Sequence, residues 1–453
     1  MALIFENAML PVRAFADPHL APANFSSFSK QEIDADTAAK ALQQLEPIPA
    51  PRATTPMDLA SVIGTSAAQA IQKSGQITFH TVGDRGGVHN PEFQFAVASA
   101  MASDQKNGVA FWYHLGDVVY YCGQEQYYYE QFYDPYRNYN APIFAIPGNH
   151  DGVVFQGDAA PSLAAFVANF CANAPGRNPD SQGVVRTTMD QPGVYFTLNA
   201  PFVKCIGLYS NTGEGGTQGV IAGPSIGNDQ LDFLQQQLAA AKAERASGQT
   251  RALVIATHHP PFTGSPEHVP SPDMLAQIDA ACTAAGIQPD LYLSGHAHLY
   301  ERYTRTVGGK QIPFVVAGMG GFYNLLGLKP GQKTPAPKVP QSGTDASNNP
   351  LTLECYDDAH FGFLRITISA AAITATFVTV DTTSGKMGVG DSFSVDLKTY
   401  NVSTGAATKN TPAAKPAPKT MANKIVKSPA AKKVVKSAPA RKAKSKPARK
   451  RTK

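Results

Sequence analysis

The sequence has few cysteines and no long apolar run. Five cysteines in 453 residues are too few for a disulfide-stabilised scaffold, and their spacing is not that of thiolate metal ligands. No stretch approaches the ~20 apolar residues that a membrane-spanning helix needs, which argues against an integral membrane protein. Hydrophobic residues make up 43% of the chain and charged residues 16%, a balance typical of globular proteins.

Acidic residues are absent from residues 401–453, which contain 16 lysines and arginines and no aromatic residue. The other 400 residues therefore carry a net charge of −11, although the whole chain carries +5. Such a segment cannot bury enough apolar surface to offset the entropy lost on ordering, so we predict a disordered basic tail over residues 399–453. Its partner would be nucleic acid or another polyanion. A solvated extension without a partner is the alternative.

The N-terminal 75 residues are rich in Ala and Pro and contain one plausible helix, around Glu32–Leu45. We interpret residues 1–75 as a partly helical extension and residues 76–398 as the catalytic domain. The first 25 residues contain a single basic residue, Arg13, and no apolar stretch of signal-peptide length. On this ground we expect a cytoplasmic location, with a periplasmic or secreted one as the alternative.

Five strand-like runs each end in a loop that carries Gly, Asp or His. They are Ile77–Val82, Val109–Leu115, Ile143–Ile146, Leu253–Ala256 and Leu291–Leu293. Leucines at helical spacing predict a helix over Asn228–Glu244. Residues Phe361–Leu397 alternate like antiparallel strands. The mixture predicts an α/β (α+β) fold.

The loops after these strands present carboxylate, amide, phenol and imidazole side chains. Ligands gather at the carboxyl ends of strands in open sheets, so these side chains are expected to converge. Such donors suit two hard-to-borderline metal ions better than a thiolate zinc site. The side chains are Asp84, Asp117, Tyr120, Asn149, His150, His258, His259, His296 and His298.

A single motif of this kind means little, because Gly-Asp pairs are common in turns. The ordered set GD…GDxxY…GNHD…H…GHxH is specific, and it resembles the calcineurin-like metallophosphoesterase superfamily, most closely the purple acid phosphatases. Most of that superfamily has His where this chain has Gly86, whereas Tyr120 follows the second motif. Purple acid phosphatases make the same exchange. The segment Gly295–Arg302 is also similar to their GHxHxYER, and the resemblance covers about residues 76–397.

The resemblance implies a four-layer α/β/β/α sandwich with mixed sheets and a dinuclear metal centre. It assigns a first metal, expected to be Fe³⁺, and a second metal, expected to be Fe²⁺, Zn²⁺ or Mn²⁺. The implied ligands are Asp84, Tyr120 and His298 for the first metal, Asn149, His258 and His296 for the second, and Asp117 as the bridge.

The chemistry of these donors fits hydrolysis. A phenolate is a hard anionic donor that favours a trivalent ion, and two metals about 4 Å apart clamp a phosphoryl group and generate hydroxide. We therefore expect a phosphatase that hydrolyses phosphomonoesters by metal-activated hydroxide attack, with an acidic pH optimum. A phosphodiesterase or nuclease acting on nucleic acid or nucleotides is the alternative, because the tail would suit a polymeric substrate. A non-catalytic polyanion-binding protein is a third possibility.

Hydrolysis also needs a proton for the leaving alkoxide. His150 is placed to hydrogen-bond the substrate, with Asp151 orienting its ring. The candidate proton donors are His259, adjacent to His258, and His268, ten residues beyond it. The second spacing is similar to that of the plant-type enzymes and favours His268, for which an exposed loop histidine is the alternative.

Four other features of the sequence can be interpreted. Arg85 would contact a substrate phosphate or form a surface salt bridge, and Arg302 would support the loop of the last motif. The aromatic segment Tyr120–Tyr136 would pack a helix rather than line a substrate pocket. The loop Leu326–Pro350 is a candidate for substrate selection, since specificity in a shared fold comes from the loops around the site.

Overall fold

The computed structural model describes residues 47–87, 90–120, 123–152, 161–210, 219–328 and 336–405. The predicted helix at Glu32–Leu45 and most of the basic tail lie outside the described residues. The strands are β1 (Met57–Asp58), β2 (Gln76–Val82), β3 (Val109–His114), β4 (Ile143–Ala145), β5 (Phe196–Ala200), β6 (Val203–Gly207), β7 (Ala252–Ala256), β8 (Leu291–Ser294), β9 (Tyr300–Val307), β10 (Lys310–Ala317), β11 (Gln341–Thr344), β12 (Pro350–Asp357), β13 (Phe361–Ser369), β14 (Ala372–Val380), β15 (Met387–Asp396) and β16 (Val402–Thr404).

The helices are few and lie mainly between strands. The α-helices are α1 (Ala60–Ile63), α2 (Thr65–Ser74), α3 (Pro91–Asp104), α4 (Asn149–Gly152), α5 (Ala164–Phe170), α6 (Asp229–Ala246) and α7 (Pro272–Ala285). Asn228 directly precedes α6, the predicted helix, although its side chain makes no capping hydrogen bond. Among the helices of the described ranges, none combines the length and the apolar character needed to cross a membrane.

One sheet has seven strands in the order β16-β15-β14-β13-β2-β3-β4. β2, β3 and β4 are parallel to one another, whereas β13 pairs antiparallel with β2. The hairpin strands β13, β14 and β15 form the region whose alternating pattern predicts antiparallel pairing. This sheet carries the first three motif loops.

The other sheet has nine strands in the order β1-β5-β6-β7-β8-β10-β9-β12-β11. β6, β7 and β8 are parallel, and β10 is parallel to β8. The antiparallel pairs of β9 with β10 and β12 extend the sheet beyond the last motif. The mixed character of both sheets confirms the predicted sandwich.

The two sheets face each other across one hydrophobic core. The Tyr300 ring of β9 stacks on Phe377 of β14 with centroids 4.5 Å apart, and Tyr113 of β3 stacks on Phe196 of β5 at 6.1 Å. α3 contacts β13 and β14 on one side, while α6 packs against α7 and contacts β6 on the other. Helices therefore cover both outer faces, as the four-layer prediction requires.

The catalytic domain predicted over residues 76–398 is shorter than the region that pairs into the two sheets. β1 pairs with β5, and Leu59 is fully buried in the core, so residues before 76 contribute to the larger sheet. At the other end β16 pairs with β15, although residues 399–405 fall within the predicted tail. The predicted boundaries rest on changes in composition, which are gradual. The ends of strand pairing are definite residues, and for this reason the two sets of boundaries differ.

The aromatic segment packs inside the fold. Tyr128, Tyr133 and Tyr136 are almost completely buried, and the ring of Phe132 contacts Phe170 of α5 at 5.1 Å. The segment contains a π-helical turn at Tyr129–Tyr133. These contacts support the packing interpretation over a substrate pocket.

Candidate metal centre

The seven predicted ligands lie on loops that follow β2, β3 and β4 in one sheet and β7 and β8 in the other. The strands within each group are parallel neighbours, so their carboxyl ends lie side by side. This is why segments far apart in sequence meet at one site. The residues are Asp84 after β2, Asp117 and Tyr120 after β3, Asn149 after β4, His258 after β7, and His296 and His298 after β8.

Three of these residues have left-handed backbone conformations. The φ angles are 57° at Asp84, 55° at Asp117 and 68° at His296. Such conformations cost about 1–3 kcal/mol for residues other than glycine, and they concentrate at functional sites. Here the turns are held from both sides, because the His296 N–H donates to Asp84 Oδ2 at 2.8 Å and the Asp84 N–H donates to the Gly116 carbonyl at 3.1 Å.

Asp84, Tyr120 and His298 form one group of donors. The Tyr120 hydroxyl donates to Asp84 Oδ1 at 3.3 Å and lies 3.3 Å from His298 Nε2. His298 Nδ1 donates to the Asn324 carbonyl at 3.2 Å, which leaves the Nε2 lone pair facing the group. Tyr120 is fully buried, and its ring stacks on Phe322 at 4.2 Å. These are the three side chains predicted for the first metal.

Gly86 makes room for Tyr120. A Cβ atom at position 86 would lie 2.3 Å from Tyr120 Cδ2, closer than any real contact. The glycine in the first motif and the tyrosine in the second are therefore one steric unit. A chain with a side chain at position 86 would have to place residue 120 differently.

Asp117, Asn149, His258 and His296 form the second group. His258 Nε2 lies 3.2 Å from Asn149 Oδ1 and 3.4 Å from Asp117 Oδ2. His258 Nδ1 donates to the Leu115 carbonyl at 2.8 Å, an arrangement that commonly orients a ligating imidazole. One ligand atom each from Asp117, His258 and His296 lies within 4.8 Å of the others. The set fits a bound cation.

The charges of the protein itself favour a cation at this place. Burial disfavours the charged form of His258, but Asp117 and then Asp84 outweigh it and raise the pKa of His258 to about 9. For Asp117, burial is outweighed by His258 and His150, which lower the pKa of the carboxyl below its ordinary value. Burial, followed by Asp117 and Asp84, raises the pKa of Tyr120 well above its usual range. A metal ion would neutralise the same carboxylates and favour the phenolate.

His150 borders the site and reaches solvent. Its backbone N–H donates to Asp117 Oδ1 at 3.0 Å. The centroid of its ring lies 4.4 Å from that of Tyr120, and its side chain is 29% exposed. The position suits contact with a substrate.

The two candidate proton donors both pack against the His296 ring. The His259 ring lies 4.2 Å from the His296 ring and the His268 ring 4.4 Å from it. His259 Nδ1 donates to the Ser210 carbonyl at 2.5 Å, and burial, followed by His258, lowers its pKa to about 3. His268 Nδ1 is buried without a hydrogen-bond partner among the residues that the structure describes. Burial, followed by the charge of His298, lowers the pKa of His268.

Arg85 lies neither at the surface nor in the site. It is fully buried, with its guanidinium 4.3 Å from the Trp112 ring and 4.4 Å from the Tyr136 ring. The surface salt bridge and the substrate contact considered for Arg85 are therefore both wrong. Its neighbours Asp84 and Gly86 face the site, and the chain turns Arg85 into the core behind them.

Asp151 does not orient the His150 ring as predicted. Its carboxylate accepts backbone N–H groups from Gly148 at 2.8 Å, Val118 at 3.1 Å and Val119 at 3.2 Å. Asp151 thus joins the second and third motif loops. Burial and the nearby charge of Asp117 raise its pKa to about 7.

Arg302 supports the last motif from behind. Its Nε donates to Asp391 Oδ2 at 2.6 Å, and the Tyr300 hydroxyl donates to the same oxygen at 2.7 Å. Both contacts fasten the start of β9 to β15 in the other sheet. No sequence motif marks Asp391, or Ser210 and Phe322, which contact His259 and Tyr120.

Comparison with known proteins agrees with this geometry. Residues 88–300 match the family model described as calcineurin-like phosphoesterase. Purple acid phosphatase 18 of Arabidopsis thaliana is 31% identical over 116 residues, which are 24% of this chain and only 25% of that protein.

Two solved structures are similar at low sequence identity. One is described as GAP50, the anchor in the inner membrane complex of Plasmodium, with 15% identity, a TM-score of 0.45, and coverage of 75% of this chain and 91% of that one. The other is PhoD, with 12% identity, a TM-score of 0.45, and coverage of 81% and 75%. Likenesses at this level say nothing about activity. The family match and the ordered motifs together identify a calcineurin-like phosphoesterase domain over residues 88–300 of this chain.

Proposed function

We propose that this protein is a phosphatase that hydrolyses phosphomonoesters at a dinuclear metal centre, similar to the purple acid phosphatases. The contact of the Tyr120 hydroxyl with Asp84 and His298, each at 3.3 Å, carries the proposal. An anionic phenol donor beside a carboxylate favours a trivalent ion. We assign Fe³⁺ to this group and Fe²⁺, Zn²⁺ or Mn²⁺ to the group around His258, with Asp117 shared between them.

When bound, the two ions supply Lewis-acid activation of the phosphate ester and of water. The chain's own residues do the remaining work. His150, fixed to Asp117 through its N–H, presents its partly exposed ring to the substrate. A phosphate anion bound nearby would raise the pKa of His268 and let it carry the proton that the leaving alkoxide needs. His259, held by Ser210, is the alternative donor.

The test combines metal analysis with a visible spectrum of the purified full-length protein. We expect iron, a visible absorption band from tyrosinate bound to Fe³⁺, and faster hydrolysis of p-nitrophenyl phosphate than of its bis ester. In Tyr120→Phe the band should disappear. A colourless, iron-free protein that cleaves only the diester would overturn the proposal.

The basic tail favours a second candidate, a phosphodiesterase or nuclease. Residues 401–453 carry 16 basic and no acidic residues, which suits a polymeric anion. If so, deletion of residues 406–453 should slow cleavage of nucleic acid at low salt while leaving bis(p-nitrophenyl) phosphate unaffected. A second variant with every tail Lys and Arg replaced by Gln separates the charge of the tail from its length.

A further inference from the structure

The side chain of Gln131 binds the backbone of Tyr120 on both sides. The Tyr120 N–H donates to Gln131 Oε1 at 2.8 Å, and Gln131 Nε2 donates to the Tyr120 carbonyl at 2.7 Å. One side-chain amide thus reproduces the paired bonds of an antiparallel β-ladder, although Tyr120 lies in a loop. Both residues are buried. One side chain therefore binds both backbone polar groups of Tyr120.

Gln131 is itself firmly held. It lies in the π-helical turn Tyr129–Tyr133, and its own carbonyl accepts a hydrogen bond from Gln94 Nε2 at 2.5 Å. π-Helical turns are frequent at functional sites, where the extra residue redirects a side chain. A Cβ atom at Gly86 would lie 2.3 Å from Gln131 Oε1. Gly86 is therefore needed as much for the Gln131 amide as for the Tyr120 ring.

Ring contacts hold the phenol but not the backbone from which it extends. The ring packs between Phe322 and His150, with centroids at 4.2 and 4.4 Å. A small rotation of the main chain at Tyr120 is magnified at the hydroxyl, which lies at the far end of the side chain. The amide of Gln131 opposes that rotation through both backbone polar groups.

We propose that Gln131 is the positioning residue that sets where the Tyr120 hydroxyl meets the first metal. This inference rests on the proposed function, because it concerns the same site. Loss of the amide should leave the phenol present but misplaced with respect to Asp84 and His298. The affinity for a trivalent ion should then fall more than the stability of the fold.

The chain contains a matched control in Gln230. The Tyr209 N–H donates to Gln230 Oε1 at 2.7 Å, and Gln230 Nε2 donates to the Tyr209 carbonyl at 2.8 Å. Gln230 and Gln131 are 2% and 5% exposed. Replacing either glutamine by methionine removes two bonds from a buried tyrosine backbone, but Tyr209 is not a predicted ligand. Gln230→Met also removes the bond from Nε2 to the Ile221 carbonyl at 3.1 Å, so it is the more demanding of the two substitutions.

The experiment compares wild type, Gln131→Met, Gln131→Glu and Gln230→Met as full-length proteins. Calorimetric titrations with Ga³⁺ and Zn²⁺ measure metal affinity, and visible spectra of the iron-loaded proteins report on the phenolate. We expect Gln131→Met to bind Ga³⁺ at least about tenfold more weakly and to shift or lose the visible band. Gln131→Glu keeps an oxygen that can accept from the Tyr120 N–H, so its Ga³⁺ affinity should lie between those of Gln131→Met and wild type. Gln230→Met should match wild type in both measurements.

Equal Ga³⁺ affinity in Gln131→Met and wild type would overturn the role of Gln131. An equal loss in Gln230→Met would do the same, because the effect would then be a general one. A wild type without a visible band would instead count against the proposed function, while the Ga³⁺ and Zn²⁺ titrations would still decide the role of Gln131.

Discussion

The ring of Tyr120 fills the space beside Gly86, where a Cβ atom would lie 2.3 Å from Tyr120 Cδ2. The two positions are 34 residues apart along the sequence, yet a side chain cannot be added at position 86 while the Tyr120 ring keeps its place. A histidine ligand at position 86 would need a smaller or differently directed side chain at position 120. The exchange that distinguishes this chain within its superfamily is thus imposed by packing as well as by metal chemistry.

Gly86→Ala should therefore destabilise the protein and displace Tyr120. Overpacking a close-packed interior costs about 1–3 kcal/mol. Urea unfolding measures the free energy, and the visible band of the iron-loaded protein reports on the phenolate. The control is Gly343→Ala, because nothing lies within 4 Å of a Cβ atom at that position. The stability lost in the double variant Gly86→Ala with Tyr120→Ala should be smaller than the sum of the losses in the two single variants; strictly additive losses would contradict the steric coupling.

His268→Gln should affect substrates with poor leaving groups most. An alkyl phosphate needs a proton on its leaving oxygen, and loss of a general acid costs about 10²–10⁴-fold. p-Nitrophenolate leaves readily without a proton, so the rate of p-nitrophenyl phosphate hydrolysis should fall much less. The dependence of kcat on leaving-group pKa, measured over a series of phosphomonoesters, should become steeper.

His259→Gln provides the comparison. Its imidazole is tied to Ser210 on one side and packs on His296 on the other. Its loss should slow the hydrolysis of aryl and alkyl esters to a similar degree, as expected for a residue that supports the site without donating the proton. The opposite pattern, with the steeper dependence in His259→Gln, would make His259 the proton donor.

Glu301 should make stability depend on pH. It is buried; its Oε1 accepts from the Gly264 N–H and the Tyr303 hydroxyl, whereas its Oε2 has no hydrogen-bond partner within the part of the chain that the structure describes. Burial raises the pKa of Glu301 from 4.5 to about 7. An acid with a raised pKa binds its proton more tightly in the folded chain, so its contribution favours folding below pH ~4.5 and is lost as the pH rises through 7. The loss amounts to roughly 3 kcal/mol.

Glu301→Gln should remove this dependence. The variant should be more stable than wild type at pH 8 and no more stable at pH 4, as measured by urea unfolding at both values. Glu267→Gln, at an exposed position on a nearby loop, serves as the control and should match wild type. If wild type and Glu301→Gln lost stability in parallel from pH 4 to 8, Glu301 would not be the group responsible.

Asp391→Asn should be strongly destabilising. Asp391 is the buried counter-ion of Arg302, and removing one partner of a buried pair leaves an uncompensated charge at a cost of about 3–5 kcal/mol. The double replacement Arg302→Met with Asp391→Leu should lose less, because no charge is left unpaired. Urea unfolding of Asp391→Asn, of Arg302→Met and of the double variant gives the comparison. A double variant less stable than both single variants would show that packing, not charge, dominates there.

Short local patterns made much of this molecule predictable. The strand before His258 and the strand before His296 are visible as apolar runs, and each motif follows its strand directly. Parallel strands then bring the loops together without further information. The convergence of the motif loops could therefore be inferred from the strand pattern, whereas the four layers of the sandwich are implied by the resemblance to the metallophosphoesterases.

Other features depend on packing between distant segments. Arg85 carries a charge and looks like a surface or substrate residue, yet it lies between two rings because the turn at Asp84 directs the next residue inward. Asp151 follows His150 directly but faces backbone N–H groups of another loop. Gln131 has no recognisable motif, since its function depends only on which backbone it contacts.

Each sheet contributes side chains to the site, and the two sets come from segments that are far apart in the sequence. Asp84 and His296 are 212 residues apart, and they belong to loops of different sheets. An ion bound by side chains from both sheets would act as a crosslink that closes a long loop of chain, and long loops gain the most from closure. Removal of the ion by a chelator should therefore speed unfolding, and the metal content of a sample should set how long the folded protein survives.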